Sequence, residues 1–275
     1  MKRNFSIRSI KAQVTALFAF LVPVLNSCDK TYDWTWDRTA QPAVVIDAII
    51  TDEAKVQTVN VYYTTSALNE TPLAISNAQV IVSNSDSVYL FSEDPLIKGR
   101  YLSAKPFAAK QGITYTLQVT FNGNTYTASD VMATAQDFEP LQLAVNKEGL
   151  NYVSQVADAY KSGASAMYEV LVKWATEDSA GFETARMLYY TLPSVDVSEV
   201  LAPDPERVYF PVNASITERY YSVSDKYAAF LRALLAETTW QGGMFNSEVA
   251  NLPTNLSNNA MGFFAVCSVK EKKIR

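Results

Sequence analysis

The side chains that could support catalysis in this chain are mostly carboxylates, because the sequence contains no histidine. Without imidazole, Ser-His-Asp and Cys-His catalytic arrangements and imidazole zinc sites cannot form. The carboxylates include four close pairs in polar, turn-like stretches: Asp52/Glu53, Glu93/Asp94, Glu177/Asp178 and Asp204/Glu206. Such stretches favour solvated loops. A calcium site with oxygen ligands stays open at Asp52/Glu53 or in the Asp/Asn-rich loops, although no EF-hand pattern is present. We therefore predict a protein that is not an enzyme and that uses no cofactor or metal.

The two cysteines are predicted to have different roles. Cys267 lies in the apolar sequence GFFAVCSV and is expected inside a strand, away from the exposed, electropositive setting of a reactive thiolate. Cys28 ends the sequence Leu25-Asn26-Ser27-Cys28, which resembles a bacterial lipobox. In signals of this kind the thiol is acylated and the chain is cut before the cysteine. We therefore predict lipidation at Cys28, since several acyl chains at ~0.8 kcal/mol per buried methylene give stable anchoring.

The residues before Cys28 have the organisation of a secretory signal. Basic residues without acidic ones come first, and an apolar run of twelve residues from Val14 to Leu25 follows, interrupted only by a threonine and a proline. This run is shorter than the ~20 apolar residues that a membrane-spanning helix requires. We therefore interpret residues 1–27 as a lipoprotein signal peptide that is removed.

Removal of the signal peptide leaves 248 residues with 19 basic and 28 acidic side chains, which gives a net charge of −9. An acidic body disfavours binding to nucleic acid and electrostatic adhesion to anionic lipids. The lipid, not charge, is therefore expected to hold the protein on the membrane. With only Cys267 left as a thiol, no intramolecular disulfide can form, so stability must come from a packed core.

Residues 28–41 are predicted to form a polar, lipidated tether that carries three aromatic side chains, Tyr32, Trp34 and Trp36. Tryptophan rings bury a large apolar area when they find a partner. Two interpretations remain open: the rings fold back onto their own domain, or they dock onto a neighbouring membrane protein. The second interpretation would make these three residues a partner contact.

Residues 42–136 show short β-strands separated by turn-forming residues. In TYTLQVTFNGNTYTAS, Tyr115, Leu117 and Val119 alternate with polar residues, and Asn-Gly supplies a type I′ hairpin turn. The segments VVIDAIITDE, NAQVIVSNSD, KGRYLSAKPF and KQGITYTLQV resemble, in this order, a transthyretin-like or carboxypeptidase-regulatory module. We therefore predict a mainly β protein that begins with a transthyretin/Ig-like antiparallel β-sandwich.

Residues 137–275 are predicted to form a second β-rich domain with one amphipathic helix. Strands are indicated in MYEVLVKWATED and RVYFPVNASI, while residues 137–160 leave room for a short helix. The strong helix is expected at 222–237, where Ser222 and Asp225 favour an N-terminal cap and an apolar stripe follows. NLPTNLSNN is predicted to be a loop, and GFFAVCSV closes the fold as a strand.

The order of these segments resembles one family of Bacteroidota lipoproteins, the domain-of-unknown-function 4249 family. The lipobox is followed by VVIDAIITDE, NAQVIV, GRY, GITYTLQV, SVSDKYAAFLRAL and NNAMGFFAVCSV. Genes of this family commonly lie beside those of TonB-dependent transporters, so the resemblance implies an accessory role in uptake at the outer membrane. Asp29, Asp33 and Asp37 resemble the acidic stretch of lipoproteins exported to the cell surface.

Three functions remain open from the sequence. The leading one is an outer-membrane lipoprotein that binds a TonB-dependent transporter, an unknown ligand, or both. The others are a fimbrillin-like structural subunit and a surface glycan-binding lipoprotein, for which 16 tyrosines and four tryptophans supply stacking faces. Ser87 and Ser179 each follow an aspartate and precede an apolar residue, which resembles the O-glycosylation sequon of Bacteroidota. Both serines are therefore candidate sites of O-glycosylation.

Overall fold

The computed structural model describes residues 42–65, 69–155, 165–176, 181–192, 207–239 and 252–275. Within these ranges the chain forms fourteen strands, in three sheets, and one helix. The elements are β1 Val44–Thr51, β2 Thr58–Tyr63, β3 Gln79–Ser83, β4 Val88–Glu93, β5 Arg100–Ser103, β6 Thr114–Phe121, β7 Asn124–Val131, β8 Gln142–Val145, β9 Asn151–Gln155, β10 Ala166–Ala175, β11 Phe182–Thr191, β12 Ser215–Ser222, α1 Asp225–Thr238, β13 Met261–Cys267 and β14 Val269–Lys273. The mainly β fold predicted from the sequence is therefore confirmed.

An eight-stranded sheet, called here the first sheet, has the order β13-β1-β2-β5-β4-β3-β6-β7. Its neighbouring strands are antiparallel except β1 and β13, which run parallel with Val45 opposite Met261 and Thr51 opposite Cys267. The inward side chains of these strands pack into one apolar core. The transthyretin/Ig-like sandwich detail is not confirmed, because the strands form one sheet that nearly closes on itself.

Side chains join the two edge strands of the first sheet, β7 and β13. Asp130 on β7 accepts a hydrogen bond from the amide of Val266 (3.0 Å). Asn255 accepts from the amide of Phe264 (3.1 Å) and donates to the carbonyl oxygens of Phe264 (2.8 Å) and Ser129 (3.3 Å). The asparagine-rich segment predicted as a loop therefore supplies polar partners to backbone groups of two strand edges.

The β6–β7 hairpin has the form predicted from the sequence. Asn122 and Gly123 have φ angles of 48° and 76°, the two positive values that a type I′ turn requires. Tyr115, Leu117 and Val119 are fully buried on the inner face, and polar side chains alternate with them on the outer face. Strand periodicity therefore identified both these elements and their faces.

A four-stranded antiparallel sheet, called here the second sheet, has the order β11-β10-β12-β14. The strand predicted in MYEVLVKWATED is confirmed as β10, whose Tyr168, Val170 and Val172 are buried on one face. Apolar side chains of the separate β8–β9 hairpin pack against this face.

Two expectations for the second part of the chain are corrected by the structure. Residues 137–155 hold the β8–β9 hairpin and no helix, and residues 156–160 of the predicted range lie outside the described residues. The strand expected in RVYFPVNASI begins only at Ser215, because Pro211 lacks an amide proton and opens a turn closed by the Ala214 amide on the Pro211 carbonyl (3.1 Å).

Helix α1 begins three residues later than the predicted start at Ser222. The side chain of Ser224 accepts a hydrogen bond from the amide of Tyr227 (3.2 Å) and caps the helix. Ser222 ends β12 instead, and its hydroxyl donates to the carbonyl oxygen of Ala133 (2.8 Å). The predicted apolar stripe packs on β13, where the rings of Tyr227 and Phe263 lie 5.0 Å apart.

The first and second sheets are joined where β13 passes into β14, since only Ser268 separates these strands. Asp52, which follows β1, accepts hydrogen bonds from the Ser268 hydroxyl and from the amide of Val269 (2.8 Å). Residues 41–275 form one compact unit. The domain boundary placed between residues 136 and 137 stays a prediction, but a strand from the end of the chain completes the first sheet.

Candidate functional site

Most residues predicted to be functional lie outside the described part of the chain. They are Cys28, Tyr32, Trp34, Trp36 and Ser179. The carboxylate pairs Glu177/Asp178 and Asp204/Glu206, predicted to lie in solvated loops, are also outside the described residues. Ser87 is described and lies exposed in the β3–β4 turn, where its amide donates to Asn84 Oδ1 (2.8 Å). An exposed turn is sterically open to a modifying enzyme, and O-glycosylation at Ser87 stays a prediction.

The carboxylate of Glu93 is occupied by structural hydrogen bonds. It accepts from the Ser76 hydroxyl (2.6 Å) and from the amides of Asn77 (3.2 Å) and Gly99 (3.1 Å). The Ser76 hydroxyl and, more weakly, the two amides lower the pKa of Glu93. This carboxylate therefore joins the residues before β3 to the loop between β4 and β5.

Asp94 fixes the shape of that same β4–β5 loop. Its carboxylate accepts from the amide of Leu96 (2.8 Å) and pairs with the guanidinium of Arg100. The Leu96 amide and the Arg100 hydrogen bond lower the pKa of Asp94. The prediction of a solvated loop at Glu93/Asp94 is therefore wrong, because both carboxylates are bound by their own surroundings.

Glu53 and Arg219 connect the first sheet to the second. Arg219 Nη2 donates to both carboxylate oxygens of Glu53 (2.5 Å each), and Nη1 donates to Glu169 (3.3 Å). Burial by itself raises the pKa of Glu53, but the Lys55 hydrogen bond and the charge of Arg219 lower it overall. The solvated loop predicted at Asp52/Glu53 is therefore also wrong.

Glu169 is a nearly buried carboxylate that the sequence pattern did not single out. It accepts hydrogen bonds from Arg186 Nε (2.5 Å) and from the Tyr221 hydroxyl (2.8 Å). Burial raises its pKa, but the Arg186 and Tyr221 hydrogen bonds lower it overall. Glu169 lies on the face of β10 opposite its apolar face, and the burial of its carboxylate is explained by its partners Arg186, Tyr221 and Arg219 on neighbouring strands.

Glu218 is fully buried on the opposite face of the second sheet. One carboxylate oxygen accepts from the amide of Leu141 (2.8 Å), and the other has no partner. Burial raises the pKa of Glu218.

Among the described residues, no group of three cysteine, aspartate or glutamate side chains is placed to hold a metal ion. In the same residues, no helix is both long and apolar enough to cross a membrane.

An open cleft of about 790 Å³ lies between the outer face of the β6–β7 hairpin and α1. Its size falls within the ~300–1,000 Å³ that is usual for small-molecule sites. The hairpin contributes hydroxyls, α1 contributes a cation, and β13 contributes an aromatic ring. These lining residues include Thr116, Thr127, Ser129, Lys226, Ala229 and Phe263.

The polar groups of the cleft can accept or donate further hydrogen bonds. Thr116 Oγ1 and Ser129 Oγ lie 2.9 Å apart, and Thr127 Oγ1 donates to Ser257 Oγ (3.2 Å). Each hydroxyl has one donor and two acceptor positions, so these contacts leave capacity for a ligand. Lys226 adds a positive charge, which favours a ligand with an anionic group. The alternation in the sequence indicated that the hydroxyls of the β6–β7 hairpin face outward, but it did not indicate that α1 lies next to them.

The family profile described as Domain of unknown function (DUF4249) matches residues 29–273. The chain belongs to the DUF4249 family. The match includes every described strand and α1, so the parallel β1–β13 pair lies within the matched region. It begins at Asp29, the residue directly after Cys28. No curated protein matches the chain significantly.

Proposed function

We propose that this DUF4249 protein is a non-catalytic outer-membrane lipoprotein that assists a TonB-dependent transporter in nutrient uptake at the cell surface. The observation that carries the proposal is the position of Cys28. It ends a lipobox-like sequence and directly precedes the family match. A residue lipidated at this position would leave the whole family domain attached to the membrane.

The non-catalytic part of the proposal is supported by the chemistry of the side chains. The chain has no histidine, and the thiol of Cys267 is fully buried, which raises its pKa. Of the four carboxylate pairs, both described pairs bind structural partners. A side chain that acts as a general base or nucleophile must instead be accessible and lie next to the bound substrate.

The cleft beside α1 is the proposed position for a ligand of this protein. Hydroxyls on one side and Lys226 at the N-terminal turn of α1 favour a small polar molecule with an anionic group. A glycan-binding function is supported less well, because Phe263 is the aromatic residue of the cleft and is buried. A buried ring cannot present the flat face on which sugars stack.

A fimbrillin-like subunit is also supported less well. Strand-exchange polymers need a first strand that can be removed and replaced. Here β1 pairs with β2 on one side and with β13 on the other, and it carries the fully buried Ile46 and Ile50. Removal of β1 would therefore open the core of the first sheet.

The lipid anchor is tested by changing Cys28→Ser. Because the lipobox offers this thiol as its acylation site, we expect an uncut precursor that no longer enters the detergent phase in detergent phase separation. Cys267→Ser is the matched control and should leave partitioning unchanged, since Cys267 lies in the core. Wild-type protein that stays in the aqueous phase would overturn the lipoprotein assignment.

The transporter partnership is tested by mild-detergent pull-down from native membranes. An anchored protein is concentrated near any transporter in the same membrane, so a weak interface suffices. If the tether rings dock, replacing Trp34 and Trp36 by alanine should weaken co-purification at least ~30-fold, because aromatic hot spots contribute about 2 kcal/mol or more. Phe182→Ala, an exposed aromatic of β11, is the control and should keep the partner.

Two outcomes separate the open interpretations of the tether. A double variant that keeps the transporter but unfolds at lower temperature shows that Trp34 and Trp36 pack on their own domain. Recovery of the wild-type lipoprotein without a transporter under several growth conditions contradicts the partnership and favours a free-standing binder.

A further inference from the structure

The chain enters the first sheet at one end, called here the tether end. It comprises the start of β1, the end of β2, the residues 71–75 beside β2, and the β4–β5 loop 94–99. Ala43 exchanges hydrogen bonds with Thr64, whose hydroxyl accepts from the Ala43 amide (3.0 Å). The amide of Tyr63 donates to the carbonyl oxygen of Leu73 (2.9 Å). The chain therefore enters at the same end of the sheet as Leu73, with the end of β2 between Ala43 and Leu73.

Three large apolar side chains are exposed at this end. Leu96 is 87% exposed, Leu73 is 70% exposed and Ile97 is 48% exposed. The two segments that carry them meet at one point, because Gly99 at the end of the loop packs against Ala74. Leu73, Leu96 and Ile97 are called here the apolar tip. Exposed apolar side chains grouped in this way indicate a contact surface.

The apolar tip is held in place by the hydrogen bonds that occupy Glu93 and Asp94. Glu93 binds the amides of Asn77 and Gly99, on the two segments that carry the tip. Asp94 binds the amide of Leu96 itself. The loop is therefore ordered before any contact, so that little conformational entropy is lost when the tip binds.

The acidic side chains of the β4–β5 region beside the apolar tip are bound by neighbouring groups. Asp94 pairs with Arg100, and Glu93 binds Ser76 and two amides and lies 4.0 Å from Lys98. Glu70 precedes a stretch, residues 71–77, without a charged side chain, and the tight turn 95–99 has only Lys98. The opposite end of the first sheet carries Asp52, Glu53 and Lys55 and joins the second sheet. Exposed apolar side chains next to the basic Lys98 suit the interface of a lipid bilayer, where apolar groups insert and lysine remains at the headgroups.

We propose that the apolar tip of Leu73, Leu96 and Ile97 inserts into the lipid surface to which the protein is anchored. This inference rests on the proposed lipidation of Cys28. The thirteen residues 29–41 can span up to about 45 Å when extended, so the anchor alone leaves the body free to turn. The apolar tip sets its orientation: the tether end faces the bilayer and the second sheet points away from it.

The experiment uses the full lipidated chain in vesicles of phosphatidylethanolamine and phosphatidylglycerol. Leu96→Cys is labelled with an environment-sensitive fluorophore; Cys28 is acylated and Cys267 is fully buried, so the label is specific. Val88→Cys is the matched control, since Val88 is 66% exposed on β4 at the opposite end of the same sheet. We expect the Leu96 label to shift its emission to the blue and to resist an aqueous quencher, while the Val88 label does neither.

The outcomes separate this inference from the proposed function. Protein that floats with the vesicles while the Leu96 label stays as exposed to quencher as the Val88 label overturns the insertion and leaves the anchor intact. Protein that does not float overturns the anchor, and the inference with it. A label that is shielded in native membranes but not in vesicles overturns lipid insertion in favour of a protein partner. Leu73→Cys provides an independent second position if Leu96→Cys does not fold.

Discussion

Arg219 shows how much of this fold depends on single side chains that local sequence does not identify. The sequence predicted Asp52/Glu53 as a solvated loop because neighbouring residues are polar and turn-forming. The structure places Glu53 against Arg219 on β12, and the same guanidinium reaches Glu169 on β10. Contacts between residues this far apart in the chain leave no periodic signal, so the sequence could not reveal them.

Arg219→Met should destabilise the protein by about 2–3 kcal/mol, because it leaves the nearly buried Glu169 with one cation fewer and separates Glu53 from the second sheet. The pKa values of Glu53 and Glu169 are lowered from 4.5 in the folded protein. The stability that the two ionised carboxylates contribute is therefore present above pH 4.5, and it is lost as the pH falls through their lower pKa values in the folded protein. The difference from wild type should therefore shrink below pH 4.5. Urea unfolding at a series of pH values measures it.

The control for Arg219→Met is Lys98→Met, which removes an exposed cation 4.0 Å from Glu93. Exposed ion pairs contribute about 0–1 kcal/mol, so this variant should remain close to wild type. A difference between Arg219→Met and wild type that stays constant down to pH 3 would show that the lost stability does not come from Glu53 and Glu169.

Strands and helices whose apolar side chains recur on one face could be predicted from the sequence. Pairings with residues far away in the chain could not. The hairpin of β6 and β7, the strand β10 and the stripe of α1 follow from their own residues. The sequence GFFAVCSV was correctly interpreted as a strand with Cys267 inside. Its parallel pairing with β1 was not predicted, because a strand pattern does not specify its neighbour. The same limit explains why one nearly closed sheet was taken for a sandwich.

Gly262→Ala should break the β1–β13 pair. A Cβ at Gly262 would lie 2.2 Å from the carbonyl oxygen of Ile46 on β1, and the residue has a φ of +91°. Because both the contact and the φ oppose a side chain, we expect a loss of roughly 4 kcal/mol or more, measured by urea unfolding.

Gly149→Ala separates the two causes at Gly262. Gly149 has a similar φ of +83°, but nothing lies within 4 Å of the added Cβ. Only the backbone cost of about 1–2 kcal/mol should appear there. Equal losses of unfolding free energy in the two variants would mean that the close approach of β13 to β1 is not what excludes a side chain at position 262.

At the scale of the whole molecule, the two sheets are expected to unfold together. The first sheet needs β13 and the second needs β14, and Asp52 binds Ser268 between these strands and Val269 at the start of β14. Inserting Gly-Gly-Ser after Ser268 should separate the sheets and either lower the midpoint of thermal unfolding or split the transition in two. The same insertion after Glu148, in the exposed β8–β9 turn, should change it little. Calorimetry distinguishes these results; two transitions in the wild-type protein would contradict the expected coupling.

The parallel β1–β13 pair also has a consequence for the proposed export. A chain that crosses a membrane from its N-terminus delivers residues 44–51 long before residues 261–267. Until the last strand arrives, β1 has an unpaired edge and the first sheet cannot complete its core. Contacts this distant in sequence form slowly. In a chain exported as proposed, the first sheet would therefore stay incomplete while the remaining residues are threaded across the membrane, and it would close only after translocation has ended.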